Sequence, residues 1–114
     1  MNKTLGIYVS SDEHIDKRIK LCRAAKKKNV DVHIFFTHIG TRLCTHPRMD
    51  ELRESAKVAL CKVGFGDNKL DRSQTALDDK AFSSQSWHAE MIYDCDRYLS
   101  FQSTSAPWII WRAN

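Results

Sequence analysis

Val30-Asp31-Val32-His33-Ile34-Phe35-Phe36-Thr37 is the run on which the fold turns. It is dense in β-branched and aromatic residues, which suit a buried, pleated strand. Upstream, Thr4-Leu5-Gly6-Ile7-Tyr8-Val9 reads the same way. Between the two, Ile15, Ile19, Cys22 and Ala25 recur at helical spacing while Lys17, Lys20 and Arg23 fall off the stripe. Ser10 with Glu13 has capping-box spacing and predicts the helix start. Lys26-Lys27-Lys28-Asn29 closes the helix, where cations complement its dipole. A helix joining two such strands is a βαβ unit, whose crossover is almost always right-handed, so the sheet is predicted to be parallel.

Downstream the pattern repeats. His38-Ile39-Gly40-Thr41 leaves the second strand, and Pro47 suits the first turn of a helix containing Met49, Leu52 and Ala56. Lys57-Val58-Ala59-Leu60-Cys61-Lys62-Val63 reads as the third strand, followed by a glycine-containing loop, Gly64-Phe65-Gly66-Asp67-Asn68. Leu70 to Phe82 predicts a short irregular helix. Ser86 or a neighbour caps a further helix with Trp87, Met91 and Cys95 on its apolar face, and Arg97-Tyr98-Leu99-Ser100-Phe101 predicts the fourth strand. Ser105-Ala106-Pro107 breaks the chain before Trp108-Ile109-Ile110-Trp111, read as a short fifth strand or an apolar tail. The expected fold is one α/β domain over residues 1–114, with a parallel sheet of four or five strands and helices on both faces.

Composition sets the outer bounds. A chain of 114 residues, 42% hydrophobic and 28% charged, suits one globular core. Eighteen Lys and Arg against 14 Asp and Glu leave a net charge of +4, compatible with an anionic ligand. The three-lysine run lacks interleaved aromatics, so it reads as a helix end and no direct nucleic-acid contact is expected. No apolar stretch approaches the ~20 residues of a membrane span, and there is no secretory signal, so a cytoplasmic protein without membrane contact is expected.

Cys22, Cys44, Cys61 and Cys95 form no C-x-x-C pair and predict no disulfide framework. Ligands of open parallel sheets gather at the carboxyl ends of the strands, and that rule sorts the cysteines. Cys61 lies at such an end, next to Lys62 and just before Gly64 and Gly66, whose backbone N–H groups could converge on a thiolate. The competing reading is a small buried side chain in a strand. Ser10 after the first strand and Gly40 after the second stand at the same edge and complete the candidate binding set. Cys22 belongs to a helix stripe, Cys95 to the opposite edge, and Cys44 to the connection after the second strand. His33 is expected in the core, and His14 and His88 on helix surfaces. Cys44-Thr45-His46 has zinc-ligand residue types without zinc-site spacing, so no metal is expected. No phosphate-binding glycine motif follows the first strand, and no cofactor is expected.

Four segments together resemble the DsrE/DsrF-like family of small sulfur-relay proteins, which includes the Tus proteins of tRNA thiolation. They are Leu5-Gly6-Ile7-Tyr8-Val9; Val32-His33-Ile34-Phe35-Phe36 followed by Gly40; Val58-Ala59-Leu60-Cys61; and Cys95-Asp96-Arg97-Tyr98-Leu99-Ser100-Phe101. The likeness spans roughly residues 4–101 and leaves 104–114 as an apolar extension outside it. It implies a flavodoxin-like three-layer fold, assembly into trimers or hexamers, and a persulfide carried on Cys61 between donor and acceptor proteins. Lys62-Val63-Gly64-Phe65-Gly66 departs from the small residues and Arg-Gly turn that commonly follow the cysteine in active members. Two other classes stay open: a non-catalytic interaction or regulatory subunit, and a small-molecule or nucleotide binder at the carboxyl edge. In the usual flavodoxin-like order the first strand lies between the second and third. The ends carrying Cys44 and Cys61 are then about 10 Å apart, too far for a disulfide.

Overall fold

The computed structural model describes residues 3–101 and the strand 108–111. β1 (Lys3–Val9), β2 (Val30–Phe36), β3 (Lys57–Cys61), β4 (Phe82–Ser83) and β5 (Arg97–Phe101) are parallel, and β6 (Trp108–Trp111) pairs antiparallel with β5. The helices are α1 (Ile15–Lys27), α2 (Met49–Arg53), α3 (Lys62–Asp67) and α4 (Gln85–Asp94). A 3-10 segment, His38–Thr45, follows β2.

The layers follow from strand alternation. Ile7, Val9, Ile34, Phe36 and Leu60 face one side and pack with Ile15, Ile19 and Cys22 of α1 and Met49 and Leu52 of α2. Phe35, Ala59, Cys61 and Tyr98 face the other, against Met91 of α4 and Cys95 at its end. Both faces of the sheet are thus covered, which explains the near-continuous apolar strands. The result is the expected α/β arrangement of layers, compatible with a flavodoxin-like fold.

The strand order is β4-β3-β2-β1-β5-β6, which corrects the expectation that β1 separates β2 from β3. The reason lies in which face each connection covers. Leu43, Cys44, Met49 and Leu52, between β2 and β3, pack on the same face as α1. Two crossovers of one hand on one face must step in one direction, so β3 lands beyond β2. Only α4, on the opposite face, carries the chain back past β1 to β5.

Other boundaries move for local reasons. The capping box of Ser10 and Glu13 does not form: the cap lies four residues later, at His14 in the left-handed region at φ 63°, and α1 starts at Ile15. It is Ser11 whose hydroxyl accepts the Glu13 N–H, at 3.2 Å. β3 stops at Cys61 and the expected glycine loop is helix α3. The expected irregular helix at 70–82 is two three-residue 3-10 turns, Arg72–Gln74 and Asp79–Ala81, leading into β4. The expected fourth strand is therefore the fifth in the sheet. Ala56 lies beyond α2. Ser105-Ala106-Pro107 lies outside the described residues.

Candidate functional site

β3 delivers Cys61 to the carboxyl edge of the sheet, on the α4 face, opposite Ser83 of β4. Alternation along the neighbouring strands brings Tyr8, Phe35 and Tyr98 to that same face. Thr37, just past β2, is buried, and the side chain of Gln85 in the first turn of α4 donates to its hydroxyl at 3.0 Å. The Tyr8 phenol is held above its ordinary pKa first by burial; a hydrogen bond with Thr37 opposes this, and a charge on Cys61 adds to it. Tyr8, Thr37 and Gln85 therefore form one polar group at this edge, and Cys61 lies on the same face of the sheet as Tyr8.

Behind it stands an aromatic wall. His88 lies 4.1 Å from Tyr8 between ring centroids and 5.8 Å from Phe35, and its Nε2 is 2.6 Å from the Tyr98 hydroxyl. Trp87 stacks on Phe35 at 5.6 Å. Burial lowers the His88 pKa and raises that of Tyr98. The expectation of His88 as a helix-surface residue is thus corrected: α4 turns it onto the sheet, where the Tyr98 hydroxyl and two aromatic faces receive it. His33 is half-buried at 6.3 Å from Trp87.

The other sequence candidates sort by position. Lys62 is exposed at the start of α3. Gly64 packs this helix onto the 3-10 segment; a Cβ there would lie 3.0 Å from the His38 nitrogen. Gly66 faces open space. The two glycines therefore shape a helix, and the loop that was expected to gather their N–H groups is absent. Gly40 serves close approach: a Cβ would sit 2.4 Å from the Val9 carbonyl oxygen. Ser10 ties two strand ends, its N–H donating to the Phe101 carbonyl at 2.9 Å.

Of the four free cysteines, Cys61 is the most exposed, at 7% against 0% for Cys22, 1% for Cys44 and 3% for Cys95. Burial pushes the Cys22 thiol up to about 12, against the nearby Arg18, and raises that of Cys44. Neither is poised to ionise. Cys44 and Cys61 also belong to opposite faces of the sheet.

Tyr8, Thr37, Gln85, His88 and Tyr98 were not among the residues the sequence pointed to. Period-two alternation could have found Tyr8, one residue before the end of β1. Gln85 and His88 depend on the rotation of α4, which its weak apolar pattern leaves open.

Fold and site together define a layered α/β protein with Cys61 at the carboxyl end of a parallel strand, on the sheet face that also carries Tyr8, Phe35 and Tyr98. A comparison with protein-family models finds no match, and a comparison with curated proteins finds none.

Proposed function

We propose that the protein is a cytoplasmic sulfur carrier that accepts sulfane sulfur as a persulfide on Cys61 and passes it to a partner protein. The observation that carries this reading is the position of Cys61: it is the cysteine that combines a strand's carboxyl end, the greatest exposure of the four and a place on the sheet face that carries Tyr8.

The chemistry balances without a redox partner. The Cys61 thiolate attacks the terminal sulfur of a donor persulfide, the donor S–S bond breaks, and the donor leaves as a thiolate. The persulfide anion on Cys61 holds its charge on the sheet face that carries Tyr8. An acceptor thiolate then attacks the terminal sulfur, forming its own persulfide and returning Cys61 as a thiolate. Cys44 lies under the other face of the sheet, so the sulfur leaves to a separate protein. The family resemblance adds a trimeric or hexameric assembly to the proposal.

The low exposure of Cys61 favours a second reading, a non-catalytic subunit of the same fold. Intact-mass and peptide mass spectrometry after treatment with a polysulfide separates the two. A gain of about 32 Da, one sulfur atom, on the Cys61 peptide supports the carrier. Loss of that gain in Cys61→Ser, with retention in Cys44→Ser, assigns it. A Cys61 that stays unmodified while the protein remains folded overturns the carrier reading in favour of the subunit.

A further inference from the structure

Arg18 lies in α1, near its amino end, and is only 6% exposed, although arginine is almost never fully buried without a partner. Its Cζ sits 3.9 Å above the centroid of the Phe101 ring. Such stacking uses the face of the guanidinium. The five N–H donors lie in its plane and require acceptors of their own. Among the described residues, the Nε of Arg18 is buried with no hydrogen-bond partner, and no carboxylate forms an ion pair with the guanidinium. Burial works against the Arg18 charge, and the nearby Asp16 and Glu13 carboxylates only partly offset it.

Its place in the fold says what is missing. From β1 the chain steps through β2, β3 and β4 on one side, and α4 returns it to β5 on the other. The carboxyl ends of β1 and β5 therefore flank the topological switch point, where ligands of open α/β sheets bind. Phe101 ends β5, Ser10 follows β1, and α1 begins from the same edge with no side chain capping its amino end. Side chains near the start of a helix lean back toward that end, so Arg18 leans toward this crevice.

We propose that Arg18 forms a binding site for a small carboxylate in the crevice between the carboxyl ends of β1 and β5. The guanidinium, stacked on Phe101, presents its in-plane N–H fork to the two carboxylate oxygens. A carboxylate fits better than a phosphate for two reasons. Its two coplanar oxygens match the fork, and the nearby Asp16 and Glu13 disfavour a second negative charge. The site is on the α1 face, whereas Cys61 is on the α4 face, so the two proposals stand or fall separately.

The probe is sodium acetate, titrated into the full chain at constant ionic strength, with chloride and inorganic phosphate as controls. The readouts are the side-chain Nε–H resonance of Arg18 and the melting temperature. Acetate is expected to move the resonance along a saturating curve, and to raise Tm by about 6 °C at tenfold over Kd. Arg18→Lys keeps the charge and removes the fork, and should weaken acetate at least about tenfold. Arg18→Met keeps the packing on Phe101 and should abolish the Tm response while folding at least as stably. A wild-type resonance that drifts with acetate as it does with chloride overturns the site. So does an affinity unchanged in Arg18→Lys, or a Tm response that survives in Arg18→Met. Phosphate binding tighter than acetate overturns the ligand class.

Discussion

At the scale of single residues, His88 shows how burial turns into pH dependence. The ring is packed on Tyr8 and bonded to Tyr98, and burial holds its pKa below the ordinary 6.5. The unfolded chain takes up a proton that the folded one resists, so the unfolded state binds more protons between the two pKa values. The stability contributed by neutral His88 is complete above 6.5 and is lost as pH falls through the folded value. His33 acts in the same direction, through burial and then Lys57. Urea unfolding should give a lower midpoint at about pH 5.5 than at about pH 7.5, and His88→Phe should shrink the difference. An unchanged difference would place the acid sensitivity elsewhere. Glycines give a second residue-scale test. Gly40→Ala drives a Cβ into the Val9 carbonyl and should cost about 1–3 kcal/mol, whereas Gly66→Ala meets nothing within 4 Å and should gain about 0.5–1 kcal/mol. Chemical denaturation of the pair checks both signs.

At the scale of elements, α3 is held by its ends. The Leu70 N–H reaches the Phe65 carbonyl at 3.2 Å and the Lys69 N–H reaches that of Gly66 at 2.9 Å, the two bonds of a Schellman stop. The Asn68 side-chain amide spans to the His38 and Gly64 carbonyls and the Thr41 hydroxyl. This bracing makes a helix of a segment whose two glycines favour a loop. The stop requires Lys69 at φ 56°, where a Cβ is strained. Lys69→Gly should therefore stabilise the fold by about 0.5–1 kcal/mol, read as a higher denaturant midpoint at unchanged slope. A lower midpoint would mean that the side chain, not the backbone, sets this position. α4 is positioned differently, by contact with a bare backbone. A Cβ on Gly6 would come within 2.9 Å of Met91 Cγ and 3.2 Å of Cys95 Sγ, so β1 admits α4 only because residue 6 has no side chain.

At the scale of the whole molecule, the sheet itself is the barrier between thiols. β2 and β3 are neighbours, so strand spacing alone does not keep Cys44 from Cys61. What keeps them apart is that Cys44, within the 3-10 segment, packs on the α1 face while Cys61 faces α4. Mild oxidation should leave all four thiols titratable in the unfolded protein, with no Cys44–Cys61 peptide found after digestion. Trapping that peptide would require the connection after β2 to cross the sheet edge, and would turn the reading toward thiol redox chemistry. The ends of the sheet are closed by the chain: Asp96, before β5, accepts from the backbone and hydroxyl of Thr4 in β1 at 2.8 and 3.1 Å.

The sequence by itself determined the α/β class, the parallel pairing of the main strands, and the placing of Cys61 at a carboxyl edge. Each of these is local: apolar runs, one helix per crossover, and a strand's direction are written within about thirty residues. Tertiary structure alone decided the strand order, the helix in place of the glycine loop, and the company Cys61 keeps. Strand order depends on which face each connection covers, and a buried strand that is apolar on both sides does not announce that face. The turn of His88 onto Tyr8 and Tyr98, and the burial of Arg18 against Phe101, join residues from separate strands and helices. Such contacts have no signature in spacing, because the distance that matters is measured across the fold and not along the chain.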